Sequence, residues 1–444
     1  MKKQLQIFFD FLRFCIGSTK EIPDSSKEAD WKELYAIAKK QCLVGILFDG
    51  IKKLPAEYVG MKKELLLQWM AESQMLEKAN VRLNDAAIQV SEWFRKKGFR
   101  TCILKGQGNA LLYPNPYSRT PGDIDIWVEG GDKRVISFVR SISPHEKACY
   151  HHIEFPSYKG VEVEVHYRPS FLLCFWHNRK LQKYYERVKE EQFSHRVMLK
   201  EQGEIAIPTV GFNLIFQLTH IFSHLMNEGI GLRQLLDYYY VLCDFYKVYQ
   251  KTSKITPSLF TLKEGSTSHP DPLTLRGEGG NRPTRCSEPL RSKVGGPSKV
   301  SPDCAGWDRL SIEGDNSAGS TTAVTSSAST ALDVVQKELK ELGLWKFAGG
   351  IMYIMQEVFG MPASRLIVPP NEKYGRFVLN EVLEAGNFGR HDARNRFGRS
   401  KLGHNLQRVY RDIRLVRYFP AEALCEPLFR TWHFFWRLKY KIIK

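Results

Sequence analysis

Two acidic residues at alternate positions of an apolar run have the spacing of a divalent-metal site. Asp123 and Asp125 flank Ile124 in the sequence DIDIWV. Residues i and i+2 of a strand point to the same side, so a strand here would project both carboxylates together. Magnesium and manganese take hard oxygen ligands, and magnesium keeps several waters, so two or three carboxylates suffice. We therefore predict that Asp123 and Asp125 are metal ligands.

A third carboxylate is expected from a neighbouring strand. The sequence VEVEVHY, residues 161–167, alternates apolar and polar residues, which is typical of a strand with one buried face. Its polar face carries Glu162, Glu164 and His166. Glu164 is our first choice as the third ligand and Glu162 the reserve, while His166 either orients a carboxylate or phosphate or is purely structural. Residues 151–160 end in a turn signal, so this strand is predicted to be the second arm of a hairpin.

A glycine-containing turn precedes the acidic pair. The sequence LKGQG, residues 104–108, passes from an apolar run into a predicted helix. Its glycines allow backbone N–H groups to approach an anion at the positive end of a helix. We predict nucleotide contacts from Lys105, Gly106 and Gln107. Arg119, in the loop before the acidic pair, could also contact phosphate.

The order of these features strengthens the prediction more than any one of them does. The acidic pair begins 17 residues after Gly106, and the single carboxylate follows on a later strand. Nucleotidyl transfer from a nucleoside triphosphate places negative charge on the reacting oxygens, and paired divalent ions compensate that charge. Asp123, Asp125 and Glu164 are therefore the predicted catalytic residues of a transfer to an acceptor hydroxyl with release of pyrophosphate.

Two longer runs carry a family resemblance. LKGQGNALLYPNPYSRTPGDIDIWV and VEVEVHYRPS resemble the uncharacterised nucleotidyltransferase family of the polymerase-beta superfamily. Members share an LKG turn, a Tyr-Pro segment, an arginine, a DID strand and an acidic residue two positions before a histidine. The resemblance implies that Asp123 and Asp125 form the metal-ligand pair, with Glu164 as the third acidic residue.

The family resemblance extends beyond the predicted site, although one residue within the site differs from the usual family pattern. The segment GLRQLLDYYYVL, with Arg233 and Asp237, matches a recurring family pattern, and the similarity covers most of the chain outside residues 251–330. Superfamily members often carry serine or glycine where this chain has Gln107. The resemblance therefore implies that backbone groups, Lys105 or water contact the phosphate here.

The chain around the site is predicted to be mainly helical. We expect an α+β fold, with a small mixed β-sheet nucleotidyltransferase core flanked by N-terminal and C-terminal α-helical regions. Residues 24–26 are candidate caps for the helix that contains Trp31. The segment 251–330 is rich in Gly, Pro, Ser and Thr and poor in aromatic residues, so it is predicted to be a disordered insertion. The predicted regions are 1–97, 98–208, and a C-terminal region of 209–250 and 331–444.

The net charge and the cysteine pattern indicate possible binding partners and the cellular compartment. The formal net charge is +17, of which +10 lies in residues 386–444. This end could contact a polyanion, or its arginines could form a solvated helix face. The nine cysteines include no CxxC and no Cys/His pair at zinc spacing, which indicates reduced thiols and a cytoplasmic protein. No uncharged apolar run has the length of a membrane span.

Two histidines stand four residues apart on a predicted helix. His220 and His224 have the spacing of two ligands on one helix face, but no third ligand is evident nearby. We expect packing or hydrogen-bonding roles, with a place on the acceptor side of the cleft as the alternative.

A second function also fits the sequence. The chain could be a catalytically inactive nucleotide- or nucleic-acid-binding module that uses its basic C-terminal helices. The acceptor remains unidentified, because members of the superfamily serve sugar phosphates, proteins, RNA ends and antibiotics on one fold.

Overall fold

A small sheet lies among helices from both halves of the chain, so the predicted α+β class is confirmed. The computed structural model describes residues 2–199, 202–252, 321–394 and 401–440. Among these described residues, none of the helices is both long enough and apolar enough to cross a membrane.

The chain begins with four helices: α1 (Lys2–Cys15), α2 (Trp31–Lys40), α3 (Val44–Ile51) and α4 (Lys63–Lys96). The predicted cap of α2 at residues 24–26 is wrong, because those residues belong to a separate 3-10 turn. Asp30 caps α2 instead, and its carboxylate accepts hydrogen bonds from the N–H groups of Lys32 and Glu33. A capping side chain must stand immediately before the first helical residue, a position that Asp30 occupies.

The central region contains six strands and three helices. They are β1 (Thr101–Ile103), α5 (Gln107–Ala110), β2 (Ile124–Val128), α6 (Gly131–Ile142), β3 (His152–Tyr158), β4 (Val161–His166), α7 (Phe175–Ser194), β5 (Arg196–Met198) and β6 (Glu204–Ala206). Four strands form a mixed sheet in the order β1-β2-β4-β3. β2 runs parallel to β4, while β1 pairs antiparallel with β2 and β3 pairs antiparallel with β4, as the predicted hairpin requires.

The sheet has one apolar face and one mixed face. Ile126 of β2 and Val165 of β4 are fully buried in a core shared with the second half of α4 and with α6. On the opposite face, the ring of Trp127 lies 4.7 Å from that of Phe193 in α7 and 5.9 Å from that of Phe212. This opposite face also carries the polar residues of β2 and β4, because side chains alternate along each strand.

The described residues from 210 onward form mainly helices. The helices are α8 (Val210–Asn227), α9 (Leu232–Thr252), α10 (Thr321–Glu341), α11 (Trp345–Glu357), α12 (Glu372–Ala385), α13 (Lys401–Val416) and α14 (Pro420–Lys439). Short 3-10 turns lie at Asp24–Glu28, Ala56–Tyr58, Pro116–Ser118, Ala363–Arg365 and Asn387–Gly389. Residues 253–320 of the predicted insertion lie outside the described residues, whereas α9 and α10 extend into its two ends. Helices α1, α3, α8, α9 and α11 share a second apolar core.

Candidate active site

The three predicted carboxylates lie together at one end of the sheet. Asp125 of β2 is directly opposite Glu164 of β4 in the parallel register, and Asp123 immediately precedes β2. One ligand oxygen from each of the three lies within 4.8 Å of the others. Glu162, the reserve candidate, is exposed and does not belong to this cluster.

The cluster has the properties of a site for a hard divalent cation. Asp125 is buried, and its Oδ1 atom lies 2.9 Å from Nε2 of His166. Its Oδ2 atom accepts no hydrogen bond, and the ammonium nitrogen of Lys105 lies 3.0 Å away. Clustered carboxylates repel one another unless positive charge lies among them. The potential ligand atoms are carboxylate oxygens with a cation among them, so the set fits magnesium or manganese.

The surrounding charges lower the pKa values of two of these carboxylates, Asp125 and Glu164. Burial raises the pKa of Asp125, but the charge of Lys105 and the hydrogen bond from His166 outweigh it and hold this pKa below its usual value. Burial likewise opposes ionisation of Glu164, yet His166 and His152 lower its pKa. Burial lowers the pKa of His166, but its bonds to the two carboxylates raise it to about 9.

The glycine turn lies against the acidic strand, and its details differ from the prediction. Gly106 has φ +66°, a conformation that favours glycine. The helix that follows, α5, has four residues, so its dipole is much weaker than that of a long helix. The side chain of Gln107 is buried and donates a hydrogen bond to Asn84 of α4. Gln107 can therefore offer a phosphate its backbone N–H only.

The predicted phosphate contact of Arg119 is wrong. The Arg119 guanidinium forms a bidentate pair with the Asp237 carboxylate of α9, with both N···O distances 2.8 Å. Both residues are at least 96% buried, and the hydroxyl of Tyr113 donates to the same carboxylate at 2.6 Å. Because its charge is already neutralised in the interior, Arg119 anchors the loop to α9 and does not face the cleft.

Further contacts fix the loop that leads to Asp123. Asn80 of α4 donates to the carbonyl of Arg119 at 2.7 Å. Arg233 of α9 donates to the carbonyl of Thr120 at 3.0 Å, and the Thr120 hydroxyl donates to the carbonyl of Cys42 at 2.8 Å. The loop is therefore held by three separate parts of the chain, which gives Asp123 a defined position.

A cleft of about 1170 Å³ opens over the carboxylates. His220 and His224 of α8 line it, with their Nε2 atoms 3.0 Å apart, and His220 Nε2 lies 3.2 Å from Nζ of Lys105. The two histidines thus line the cleft and have the hydrogen-bonding role that was expected of them. Burial and the nearby charge of Lys105 hold the pKa of His220 well below its usual value.

Several cleft residues were not anticipated from the sequence. Phe388 has φ +52°, and its ring lies 5.0 Å from that of His224. A non-glycine residue in this conformation is uncommon and often lies near functional sites. Cys149, His151 and His152, from the sequence CYHH, also line the cleft. This sequence matches none of the common zinc spacings, and only the fold shows that the three side chains converge.

Comparison with known protein families identifies one family that this chain matches. A family model described as an uncharacterised nucleotidyltransferase matches residues 27–248, which is half of the chain. The matched segment includes the three carboxylates, the glycine turn and most of α9. No curated protein matches the chain, and no solved structure matches it.

Proposed function

Because this chain belongs to the family of uncharacterised nucleotidyltransferases, we propose that it moves a nucleoside monophosphate from a nucleoside triphosphate to an acceptor hydroxyl, with release of pyrophosphate. We assign the site to the polymerase-beta type. One observation carries the proposal: carboxylate oxygens of Asp123, Asp125 and Glu164 lie within 4.8 Å of one another, and all three residues line one large cleft.

The three carboxylates are the proposed ligands of magnesium or manganese. When bound, such ions compensate the negative charge that develops on the reacting phosphate oxygens. His166 fixes the orientation of the Asp125 carboxylate through the 2.9 Å contact of Nε2 with Oδ1, and partners of this kind sustain the geometry of metal ligands. His166 is thus a positioning residue.

The phosphates of the nucleotide are proposed to lie beside Lys105. Its ammonium nitrogen lies 3.0 Å from the Asp125 carboxylate and 3.2 Å from Nε2 of His220. The Lys105 charge therefore lies between the carboxylate cluster and α8. Backbone N–H groups of Gly106 and Gln107 supply further donors to phosphate oxygens. Arg119 has no part in this binding.

The acceptor must lose a proton as it attacks. We propose that Glu164 takes this proton from the acceptor hydroxyl, whose oxygen then bonds to the α-phosphorus while the bond to the pyrophosphate oxygen breaks. The Glu164 side chain is 33% exposed, so a substrate in the cleft can reach it. Its lowered pKa keeps it ionised and able to accept a proton, although as a weak base.

Positive charge from the C-terminal helices lies on the wall of the same cleft. Arg408 of α13 and Arg430 of α14 line it together with Arg390, and both helical arginines lie within 3.7 Å of the buried Glu426. We propose that this wall binds an anionic part of a substrate. In this proposal, the basic C-terminal helices bind substrate in the active-site cleft.

Replacing Arg430 with glutamine is expected to raise the KM for the anionic substrate about tenfold, since a charged hydrogen bond contributes about 1.5 kcal/mol or more. The measurement is steady-state kinetics at two salt concentrations. Arg376→Gln, on the exposed face of α12, removes the same charge outside the cleft and is the control. Equal KM values for the two variants would show that the arginine wall does not bind substrate.

The direct test of the proposed activity uses each labelled triphosphate in turn, with magnesium and a cell extract. We expect one class of acceptor to become labelled, which would also give the base preference. The Asp123→Asn/Asp125→Asn variant is the control. If the wild-type protein labels nothing beyond this control in any combination, the proposed transfer is refuted.

A further inference from the structure

A cluster of softer ligands lies beside the carboxylates, at the start of β3. Sγ of Cys149 lies 3.3 Å from Nδ1 of His151, and Nε2 of His151 lies 3.1 Å from Nδ1 of His152. One donor atom from each residue can be chosen so that all three lie within 4.8 Å of one another. Sulfur and imidazole nitrogen are ligands for zinc-like ions, whereas magnesium prefers oxygen.

The three donors lie close enough together to converge on one ion after side-chain rotation. Zinc bonds of about 2.0–2.1 Å to nitrogen and about 2.3 Å to sulfur place tetrahedral ligand atoms roughly 3.3–3.6 Å apart. The 3.3 Å contact uses Nδ1 of His151 and the 3.1 Å contact uses Nε2 of the same ring, and one ion binds only one of these two nitrogens. With one atom chosen from each residue, the three donors lie within 4.8 Å of one another, so rotation of the side chains would bring them to bonding distance.

The backbone around these residues is held by the β3–β4 hairpin. The N–H groups of Tyr167 and Arg168 donate to the carbonyl of His151 at 3.0 and 3.2 Å. The hydroxyl of Tyr167 donates to the carbonyl of Cys149, and the N–H of Cys149 donates to the carbonyl of His152 at 2.9 Å. The donors are thus carried by an ordered scaffold, which lowers the entropic cost of binding an ion.

We propose that Cys149, His151 and His152 form a separate site for zinc or a similar borderline-soft divalent ion, with a fourth coordination position open to the cleft. Three protein ligands and one open position are the arrangement of zinc sites that bind a water or a substrate atom. All three residues line the cleft that holds the carboxylates.

The two sites are neighbours but chemically distinct. Nδ1 of His152 lies 3.3 Å from Oε2 of Glu164, and the rings of His152 and His166 are 5.2 Å apart. A group bound at the open position of the zinc site would therefore lie near Glu164, the proposed base for the substrate hydroxyl. Binding of zinc itself does not depend on the proposed transfer activity.

Cobalt provides the probe, because a thiolate bound to cobalt gives a charge-transfer absorption that oxygen ligands do not give. The full chain is stripped of metal with a chelator and titrated with Co²⁺. We expect one equivalent to produce this absorption together with the visible bands of a tetrahedral ion, and zinc to remove both. Asp123→Asn/Asp125→Asn should keep the thiolate absorption, which separates this site from the carboxylate site.

Cys149→Ser should lose the thiolate absorption. Cys42→Ser is the matched control, because Cys42 lines the same cleft but belongs to no such ligand group among the described residues. X-ray absorption of the zinc-loaded wild-type protein requires no variant and should show one sulfur neighbour at about 2.3 Å. The absence of sulfur from that spectrum, or an unchanged cobalt absorption in Cys149→Ser, would overturn the proposal.

Discussion

Asp123→Asn/Asp125→Asn is expected to lower the turnover number at least about a thousandfold. Asparagine keeps the shape of each side chain but removes both negative charges, so the affinity for magnesium falls. Charge stabilisation by a bound ion is worth several kcal/mol, and each ~1.4 kcal/mol is a factor of ten in rate. The measurement is release of pyrophosphate from the triphosphate and acceptor that the labelling experiment identifies.

Glu162→Gln is the matched control for this double variant. Glu162 is exposed on the same strand as Glu164 and lies outside the carboxylate cluster, so its replacement removes a nearby charge without removing a proposed ligand. Turnover in this control should fall far less than in the double variant, because Glu162 lines the cleft but is not a proposed ligand. If the double variant retains more than a tenth of wild-type turnover, the assignment of the carboxylates is wrong.

The second large effect is on stability. Asp237→Ala is expected to reduce the free energy of unfolding by about 3–5 kcal/mol, because it leaves the Arg119 guanidinium buried without its counter-charge. Both side chains are almost inaccessible to solvent, and two hydrogen bonds of 2.8 Å join them. Urea unfolding followed by circular dichroism measures the change.

Two comparisons show whether the buried charge causes this loss. Arg119→Met/Asp237→Leu removes both charges and should recover part of the stability lost in Asp237→Ala. Glu372→Ala breaks the exposed pair with Arg376, where both side chains are more than 60% exposed, and should cost far less than Asp237→Ala. Equal losses in Asp237→Ala and Glu372→Ala would contradict the structural role given to Asp237.

The convergence of the carboxylates could be expected from local sequence. Alternation in DIDIWV and VEVEVHY places the acidic residues on the side opposite the valines and isoleucines, and burial of Ile126 and Val165 then determines which side is exposed to the cleft. The sequence also predicted the hairpin of β3 and β4. It placed the third carboxylate on a neighbouring strand, and β2 does pair with β4. It did not predict that these two strands run parallel, because pairing across an intervening helix leaves no local signal of direction.

Contacts between distant positions account for the wrong or missing site assignments. Arg119 and its partner Asp237 are 118 residues apart, and Gln107 and Asn84 are 23 apart. A basic residue before an acidic strand has the same local pattern whether it binds phosphate or an internal carboxylate. The convergence of Cys149 with His151 and His152 also depends on the turn into β3, which their spacing does not determine.

The arginines of α13 lie in different surroundings, and Arg411 does not belong to the solvated helix face considered for this segment. Arg411 is 91% buried and donates to the carbonyl of Glu228 at 3.1 Å, and Arg414 lies 3.5 Å from Glu381. These two residues pack the helices together. Arg408, on the same helix, lines the cleft, so residues at three-residue spacing have different roles according to the surface that each one meets.

Isothermal titration of the wild-type protein with a non-hydrolysable nucleoside triphosphate, in magnesium and then in a chelator, tests most directly whether the clustered carboxylates hold a metal–nucleotide complex. We predict binding in magnesium that weakens at least about tenfold in the chelator, and no gain from magnesium in Asp123→Asn/Asp125→Asn. Equal affinity with and without the metal would contradict the account and favour a binding module without catalysis.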